Sequence, residues 1–435
     1  MKPLCVVSCP IDTFSGYGAR SRDFVKSLIE TKGEEWDIKI MPQRWGDCPW
    51  NFLSQDNPLR QRFIGGLDKK PDIWVQITVP NEFQAVGQFN IGVSAGIETT
   101  IYPAEFIEGS NRMDLNLVSS EHSKQIALSS QFEKKDKQTN QSVGVIKLEK
   151  PIEVLFEGLD LNKYYKNPQP ASFLEDIPED FCFLFTGHWL QGSFGEDRKD
   201  VATLIKTFLE TFKGPGKKKP ALILKTNQVN YSLIDRTGVL KNINNIKDKF
   251  KGENLPNVYL VHGELTDEEM NQLNNDPKVK SFVSFTKGEG YGRPLAEAAI
   301  TGKPTIVSNW SGHLDFINKE YNILIGGELK QVHPSAANQF LLKESQWFKI
   351  DASIASRAMK DVFKNYKKYH EKSRKQTQYL KDNFSFDKMG EKLNSLLPKV
   401  EAAPQIQTLQ LPKLKKVTKT ELPKLKLPKL KKIEA

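Results

Sequence analysis

Twelve short apolar runs, separated by segments of helical spacing, carry the chain from residue 4 to residue 325. Leu4–Ser8, Trp36–Met41, Ile73–Ile77, Phe89–Val93, Leu115–Ser119 and Ile152–Phe156 read as strands in the first half. Phe181–Thr186, Ala221–Lys225, Val258–Val261, Ser281–Phe285, Pro304–Ser308 and Asn322–Ile325 read as strands in the second. Between them, Arg22–Thr31, Val201–Phe212 and Thr266–Leu273 carry helical periodicity, and Thr266 followed by Asp267, Glu268 and Glu269 makes an N-cap with an acidic first turn. Strand–helix alternation of this kind builds parallel sheets. Running through it twice implies two doubly wound α/β domains. A chain of 435 residues also exceeds what one ordinary core encloses. The boundary is expected within 156–178, a stretch of Gly, Pro, Asn and Lys without periodicity, giving domains over 1–156 and 157–384. Beyond Trp347 the pattern becomes helical and rich in lysine, from Ala355 to about Leu380 and again from about Phe386 to Leu397.

The formal net charge of +10 is unevenly placed. Residues 398–435 hold ten Lys and three Glu, a charge of +7, and leave +3 on the remaining chain. That tail repeats one short motif three times, as Leu411-Pro412-Lys413-Leu414-Lys415-Lys416, Leu422-Pro423-Lys424-Leu425-Lys426 and Leu427-Pro428-Lys429-Leu430-Lys431-Lys432. Frequent proline forbids a long helix and the lysines repel one another, so a disordered arm is expected. It suits an anionic surface, an acidic partner or nucleic acid, or serves as a tether. The basic balance therefore says little about the folded body. No stretch approaches a membrane span of ~18 apolar residues, and the opening Met-Lys-Pro-Leu-Cys-Val-Val reads as a first strand rather than a secretory signal. Cys5, Cys9, Cys48 and Cys182 form no CxxC pair, and reduced, mostly buried thiols in a cytoplasmic protein are expected.

The chemistry concentrates in residues 280–315. A strand runs into Gly288-Glu289-Gly290-Tyr291-Gly292, then into a helix with Pro294 at its start. Glycines permit close approach, and Pro fits the first helical turn, where its missing N–H costs nothing. The amides from Gly290 through Tyr291, Gly292, Arg293 and Leu295 would face an anion such as a diphosphate. Glu297 could accept two hydrogen bonds from a ribose diol, and Glu289 lies ahead of the turn, nearer a sugar. Read without its neighbours, a bare Glu-x7-Glu pair favours a plain βα turn with Glu297 as a helix-dipole residue.

The whole string, Glu289-Gly290-Tyr291-Gly292-Arg293-Pro294-Leu295-Ala296-Glu297-Ala298 followed by Gly302-Lys303-Pro304, closely resembles the Glu-x7-Glu signature of retaining GT-B glycosyltransferases of glycosyltransferase family 4. Ser308-Asn309-Trp310-Ser311-Gly312-His313-Leu314-Asp315 resembles the same family's next loop. The resemblance implies that Glu297 binds the nucleotide ribose, that Glu289 contacts the transferred sugar, and that the 290–295 amides hold the diphosphate. It implies a GT-B fold, two Rossmann-like domains facing a cleft, the first holding the acceptor and the second the nucleotide sugar, with the helix at 385–397 packing back on the first.

Three further segments fit that reading. After the strand Phe183-Leu184-Phe185-Thr186-Gly187-His188, Arg198 and Lys199 precede a helix and would neutralise a departing diphosphate. The family carries Arg where His188 stands and Gly where Asp200 stands. Lys225, ending the next strand, is a further phosphate candidate. Ser15-Gly16-Tyr17-Gly18 resembles the family's N-terminal glycine loop, with Gly16 and Gly18 facing the diphosphate. Ser94-Ala95-Gly96-Ile97-Glu98-Thr99-Thr100-Ile101-Tyr102-Pro103 resembles an E-T-D-x-x-P pattern of one branch, Thr100 replacing its Asp, and Glu98 would orient acceptor or sugar; a capping or salt-bridged glutamate is the other reading.

Other classes fit poorly. The six His residues have no metal-ligand spacing and no Asp-x-Asp occurs, against a GT-A transferase; no Walker loop is present. Gly16-x-Gly18 lacks the third glycine of a dinucleotide fingerprint. The expectation is a metal-independent, retaining hexosyltransferase without cofactor, using a nucleoside-diphosphate sugar as donor. The acceptor (glycan, lipid-linked sugar, protein or DNA) stays open, as does the donor base, expected near His262–Glu264. The alternatives are a non-catalytic binding module of the same fold, or a transferase acting on DNA through its basic tail.

Overall fold

The structure of the chain, a computed structural model, describes residues 2–136, 139, 141–216 and 218–400. All of the expected basic tail except 398–400 lies outside the described residues.

In the first half, β1 (Leu4–Cys9), α1 (Gly16–Lys32), β2 (Asp37–Pro42), β3 (Ile73–Ile77), β4 (Phe89–Val93), α2 (Ala104–Ser110), β5 (Leu115–Val118) and α3 (Glu121–Ser129) follow in order. A hairpin of β6 (Gln131–Lys135) and β7 (Ser142–Lys147) precedes β8 (Ile152–Val154). The sheet they form is six-stranded and parallel, ordered β2-β1-β3-β4-β5-β8. The second half runs β9 (Cys182–Thr186), α4 (Val201–Phe212), β10 (Ala221–Lys225), α5 (Leu233–Lys247), β11 (Val258–Val261), α6 (Asp267–Asn275), β12 (Val279–Ser284), α7 (Arg293–Ala299), β13 (Thr305–Ser308) and β14 (Ile323–Ile325). Its sheet is also parallel, ordered β11-β10-β9-β12-β13-β14. Each order reverses beside its first strand, and in such sheets ligands bind beyond the carboxyl ends at that reversal.

The strands are apolar because helices cover both faces. Val7 and Cys9 pack with Phe24, Val25 and Leu28 of α1 on one side, while Val6 and Trp74 pack with Phe83 and Met113 on the other. In the second sheet Phe183 and Phe185 meet Leu204, Ile205 and Phe208 of α4, and Leu184 and Ile223 meet Leu295 and Ala299 of α7. Cys5, Cys9 and Cys182 are buried thiols, Cys48 is half-buried, and all four are free.

After β14 come a second hairpin, β15 (Gly327–Gln331) and β16 (Gln346–Ile350), and the helices α8 (Ala352–Lys364), α9 (Tyr366–Asn383) and α10 (Phe386–Leu396). Met389 and Leu393 of α10, with Leu397, join the core formed by β1 and α1. The crossing is fixed by backbone pairing, Leu159 N to Phe384 O at 2.9 Å and Phe386 N to Leu159 O at 2.8 Å. Beside it the buried Arg20 guanidinium donates to the Phe156 carbonyl at 2.9 Å and to that of Leu155.

Two features depart from the sequence pattern. β6, β7 and β15 escape it because they are largely exposed, and Glu-Leu-Lys-Gln in β15 offers no apolar alternation; β16 differs, burying Trp347, Phe348 and Ile350. The helix expected over Ala355–Leu380 is two helices, broken at Asn365, whose φ of −117° and ψ of 34° leave the helical region. No helix among the described residues is long and apolar enough to cross a membrane.

Candidate active site between the two sheets

The loop after β12 is pressed against the first half of the chain. A Cβ on Gly288 would lie 1.9 Å from the Glu98 carbonyl oxygen, and one on Gly290 would lie 2.0 Å from that of Ala95. Only glycine allows backbone to meet backbone this closely. Gly292 serves differently: it caps α7 with φ of 105°, a left-handed conformation that other residues avoid. From below, Ser311 Oγ accepts the Glu289 amide at 2.9 Å and the Gly312 amide donates to the Glu289 carbonyl at 3.0 Å. The Tyr291 ring turns inward onto Phe316, 4.7 Å between centroids, and Leu295 is buried in the same core, so their backbones rather than side chains face the turn.

Four of the expected residues meet at this seam. The Glu289 carboxylate is 5 % exposed. Lys199 Nζ pairs with its Oε1 and Arg198 Nη1 with its Oε2 at 3.1 Å. Arg198 also donates to the Gly288 carbonyl at 2.8 Å and lies 3.7 Å from Glu98 Oε1. Burial raises the Glu289 pKa, but Lys199 and Arg198 overcome it and hold the group down at about 2. Burial lowers the Lys199 pKa, with Glu289 opposing. Arg198 and Lys199 are thus not free cations but half of a compensated buried cluster.

Behind them lies a second cluster. Lys287, 1 % exposed, donates to the Gly195 carbonyl at 2.7 Å and lies 3.9 Å from Asp200 Oδ1 and 3.8 Å from Glu196 Oε2. Its backbone amide donates to the Arg198 carbonyl at 2.8 Å, so the Lys287 and Arg198 loops are tied directly. Asp200, where the family has glycine, has φ of 52° and ψ of 39°. The position is left-handed, and Asp is among the few side chains that tolerate it. Burial pushes the Asp200 carboxyl up to about 7 and that of Asp197 up to about 6, with Lys287 opposing in both cases.

Glu297 sits apart from Glu289, in the wall of a cavity of about 230 Å³. Thr186, His188, Lys225, Tyr231 and Pro294 line it with Glu297. Burial raises the Glu297 pKa, and Arg293 counters this from 3.5 Å. The Arg293 guanidinium is shared with Asp23 of α1 at 2.5 Å and Glu157 at 3.5 Å. Lys225 Nζ donates to the Gly263 carbonyl at 2.6 Å and lies 4.9 Å from the Tyr231 ring centre; burial lowers its pKa to about 8. His188 is exposed and lines this cavity. Desolvation by the surrounding walls, then the charges of Lys199, Arg198 and Lys225, nevertheless hold its imidazole at about 4.

Gly16 and Gly18 open α1, where Ser15 Oγ caps the Gly18 amide at 2.9 Å. They join the seam through Tyr17, whose hydroxyl accepts the Ala95 amide at 3.1 Å. Asp23 and Glu157 belong to this architecture and were not legible beforehand, each an ordinary polar residue outside the motif; Ser311 lay inside the quoted loop, but its contact with Glu289 was not foreseen. Among the described residues, no group of three or more His, Cys, Asp or Glu is placed to hold a metal ion.

No family model matches the chain, and no curated protein matches it in sequence. Solved structures do match. Sucrose-phosphate synthase from Thermosynechococcus elongatus aligns with a TM-score of 0.57 at 12% identity, over 91% of this chain and 98% of that one. A glycosyltransferase from Rickettsia africae ESF-5 gives 0.58 at 12% identity, over 91% and 97%. Anabaena HepE in complex with UDP and glucose gives 0.54 at 13% identity, over 90% and 98%. The chain has the GT-B fold. Identities this low carry the fold alone.

Proposed function

We propose that this chain is a retaining, metal-independent glycosyltransferase of the family 4 type that moves a hexosyl group from a nucleoside-diphosphate sugar to an acceptor hydroxyl. The observation that carries the reading is the direct contact of Glu289 with Arg198 and Lys199 at the seam where Glu98 arrives from the other sheet. Preorganised cations in a site of low dielectric stabilise a departing diphosphate far better than they would in water. The cavity holding Glu297 adjoins α7 at Pro294 and suits the nucleoside, its ribose diol donating to that carboxylate.

Both oxygens of Glu289 are committed to cations, which makes it a poor covalent nucleophile. The reading is therefore a front-face displacement. The acceptor oxygen bonds to the anomeric carbon on the face from which the diphosphate leaves, the C–O bond to phosphate breaks, and the acceptor proton passes to the departing phosphate oxygen. An incoming diphosphate would share Arg198 and Lys199 with Glu289, leaving that carboxylate to face the positive charge developing on the sugar. Glu98 would orient the sugar or acceptor. Uracil is the first base to test, since HepE was solved with UDP and with UDP-glucose.

Melting the full chain with UDP-, GDP- and ADP-sugars, then following the bound donor by NMR, tests the proposal. Stabilisation by one family of donors and release of an α-configured sugar to water or acceptor is expected. Binding without any turnover would reduce the chain to a binding module, and no binding would overturn the assignment.

A further inference from the structure

The β15–β16 hairpin stands between β14 and α8 and joins neither parallel sheet. A doubly wound fold needs only a turn at that point. Residues 332–345, which connect the two strands, also far exceed the ~2–5 residues of an ordinary hairpin loop. They are not slack. Val332 and Ala336 are buried with Trp347 of β16 in a small apolar core, and Leu341 and Trp310 pack against it. The excursion is a built unit with a fixed outer surface.

That unit touches each of the three segments that bring charge to the seam. From the first half comes Thr100, two residues beyond Glu98. Its amide donates to the Gln346 carbonyl at 3.0 Å, and the Gln346 amide donates back to Thr100 Oγ1 at 2.9 Å. Beside this pair Phe340 packs on Phe106, 5.7 Å between ring centres, against a cluster whose Ile97 and Tyr102 flank Glu98 in the chain. From the second half, the Phe348 amide donates to the Lys287 carbonyl at 2.9 Å, two residues ahead of Glu289. Lys287 Nζ lies 4.7 Å from the Trp347 ring centre. The Ser193 amide, on the loop leading to Arg198, donates to Ser335 Oγ at 2.8 Å. Glu98 itself lies 3.7 Å from Arg198, beyond hydrogen-bond reach, so the backbone that carries it sets its place more than that pair does.

We infer that the β15–β16 hairpin is a strap that fixes the Glu98 segment against the loops of Arg198 and Glu289, and that Thr100 is the positioning residue through which it acts on Glu98. Its catalytic consequence rests on the transferase reading, which it deepens; the strapping itself is measurable without any donor.

Hydrogen-exchange mass spectrometry on the full chain, unsubstituted and as Thr100→Val, Thr100→Ser and Phe340→Ala, is the test. Thr100→Val keeps the shape and deletes the acceptor oxygen. It should speed exchange about tenfold, the range of one hydrogen bond, at residues 98–102 and also at 193–199 and 285–289 in the other half. Phe340→Ala should do the same through the second contact, and Thr100→Ser, which keeps the oxygen, should show the unsubstituted pattern. Where a donor is turned over, starting with UDP-glucose, Thr100→Val should lower kcat about tenfold with KM within about twofold, and should add little to Glu98→Gln. Coupled exchange without turnover of any UDP-, GDP- or ADP-sugar would sink the transferase reading and leave the strap standing. Unchanged exchange, faster exchange confined to 98–106 and 340–346, or kinetic losses of Thr100→Val and Glu98→Gln that simply multiply would overturn the inference.

Discussion

The two sheets have nearly the same architecture and opposite site chemistry. At the carboxyl edge of the second, charge is dense and compensated: Glu289 between Arg198 and Lys199, Lys287 among Asp200 and Glu196, Arg293 among Asp23, Glu157 and Glu297. At the same edge of the first, a cavity of about 320 Å³ is lined by Trp45, Trp74, Gln43, Gln76 and Gln84. A diphosphate is always anionic and demands fixed cations, whereas a hydroxylated acceptor demands shape and neutral hydrogen bonds. Buried charge also has a structural cost that neutral lining does not, because each ion needs a partner in place before any ligand arrives. The second sheet is thus held by the same groups that would act, and the first is not.

That contrast can be broken, starting where the effect is largest. Lys287→Met should lower stability by about 3–5 kcal/mol in urea unfolding, the range for stranding a buried charge. Adding Asp200→Asn should restore part of the loss, and an additive pair of effects would show that the cluster is not a unit. Next, Glu289→Ala should depress turnover by about 10²–10³, the range for deleting one electrostatic contact to a transition state, with a much smaller change in KM. A raised KM with turnover unchanged would mean that Glu289 merely binds.

The pH dependence of stability comes third. Glu289 falls from 4.5 to about 2 on folding, so its contribution is complete above 4.5 and is lost as pH drops toward 2. Asp197 and Asp200 rise from 3.8 to about 6 and about 7, so theirs is complete below 3.8 and fades as pH climbs through 7. Unfolding midpoints across pH should show Glu289→Gln flattening the acid limb and Asp200→Asn the limb between 4 and 7. The smallest effect belongs to the first sheet. Gln84→Ala, exposed and outside any charge cluster, should shift stability by less than about 0.5 kcal/mol.

Legibility in the sequence followed the same division. The twelve strands of both sheets were readable because burial on both faces writes an uninterrupted apolar run, as in Ala221–Lys225 and Ile73–Ile77. Strands β6, β7 and β15 were not, since exposed strands need no such pattern. At the site, the Gly288–Gly292 turn announced itself because backbone pressed on backbone admits only glycine at 288 and 290, and the φ of 105° at 292 favours it. Asp23 and Glu157 gave no signal; they matter only because folding brings Arg293 between them across more than a hundred residues of chain. The Trp45 cavity was equally silent, being assembled from five separate segments.

Titration calorimetry of UDP, GDP and ADP into the full chain and into Glu297→Ala addresses the donor site most directly. One nucleoside diphosphate should bind the unsubstituted chain, and the variant should bind it about 10- to 100-fold more weakly, the range for hydrogen bonds to a charged group. Equal affinity in both proteins, or no binding of any of the three, would contradict the assignment of Glu297 to the ribose and with it the transferase reading.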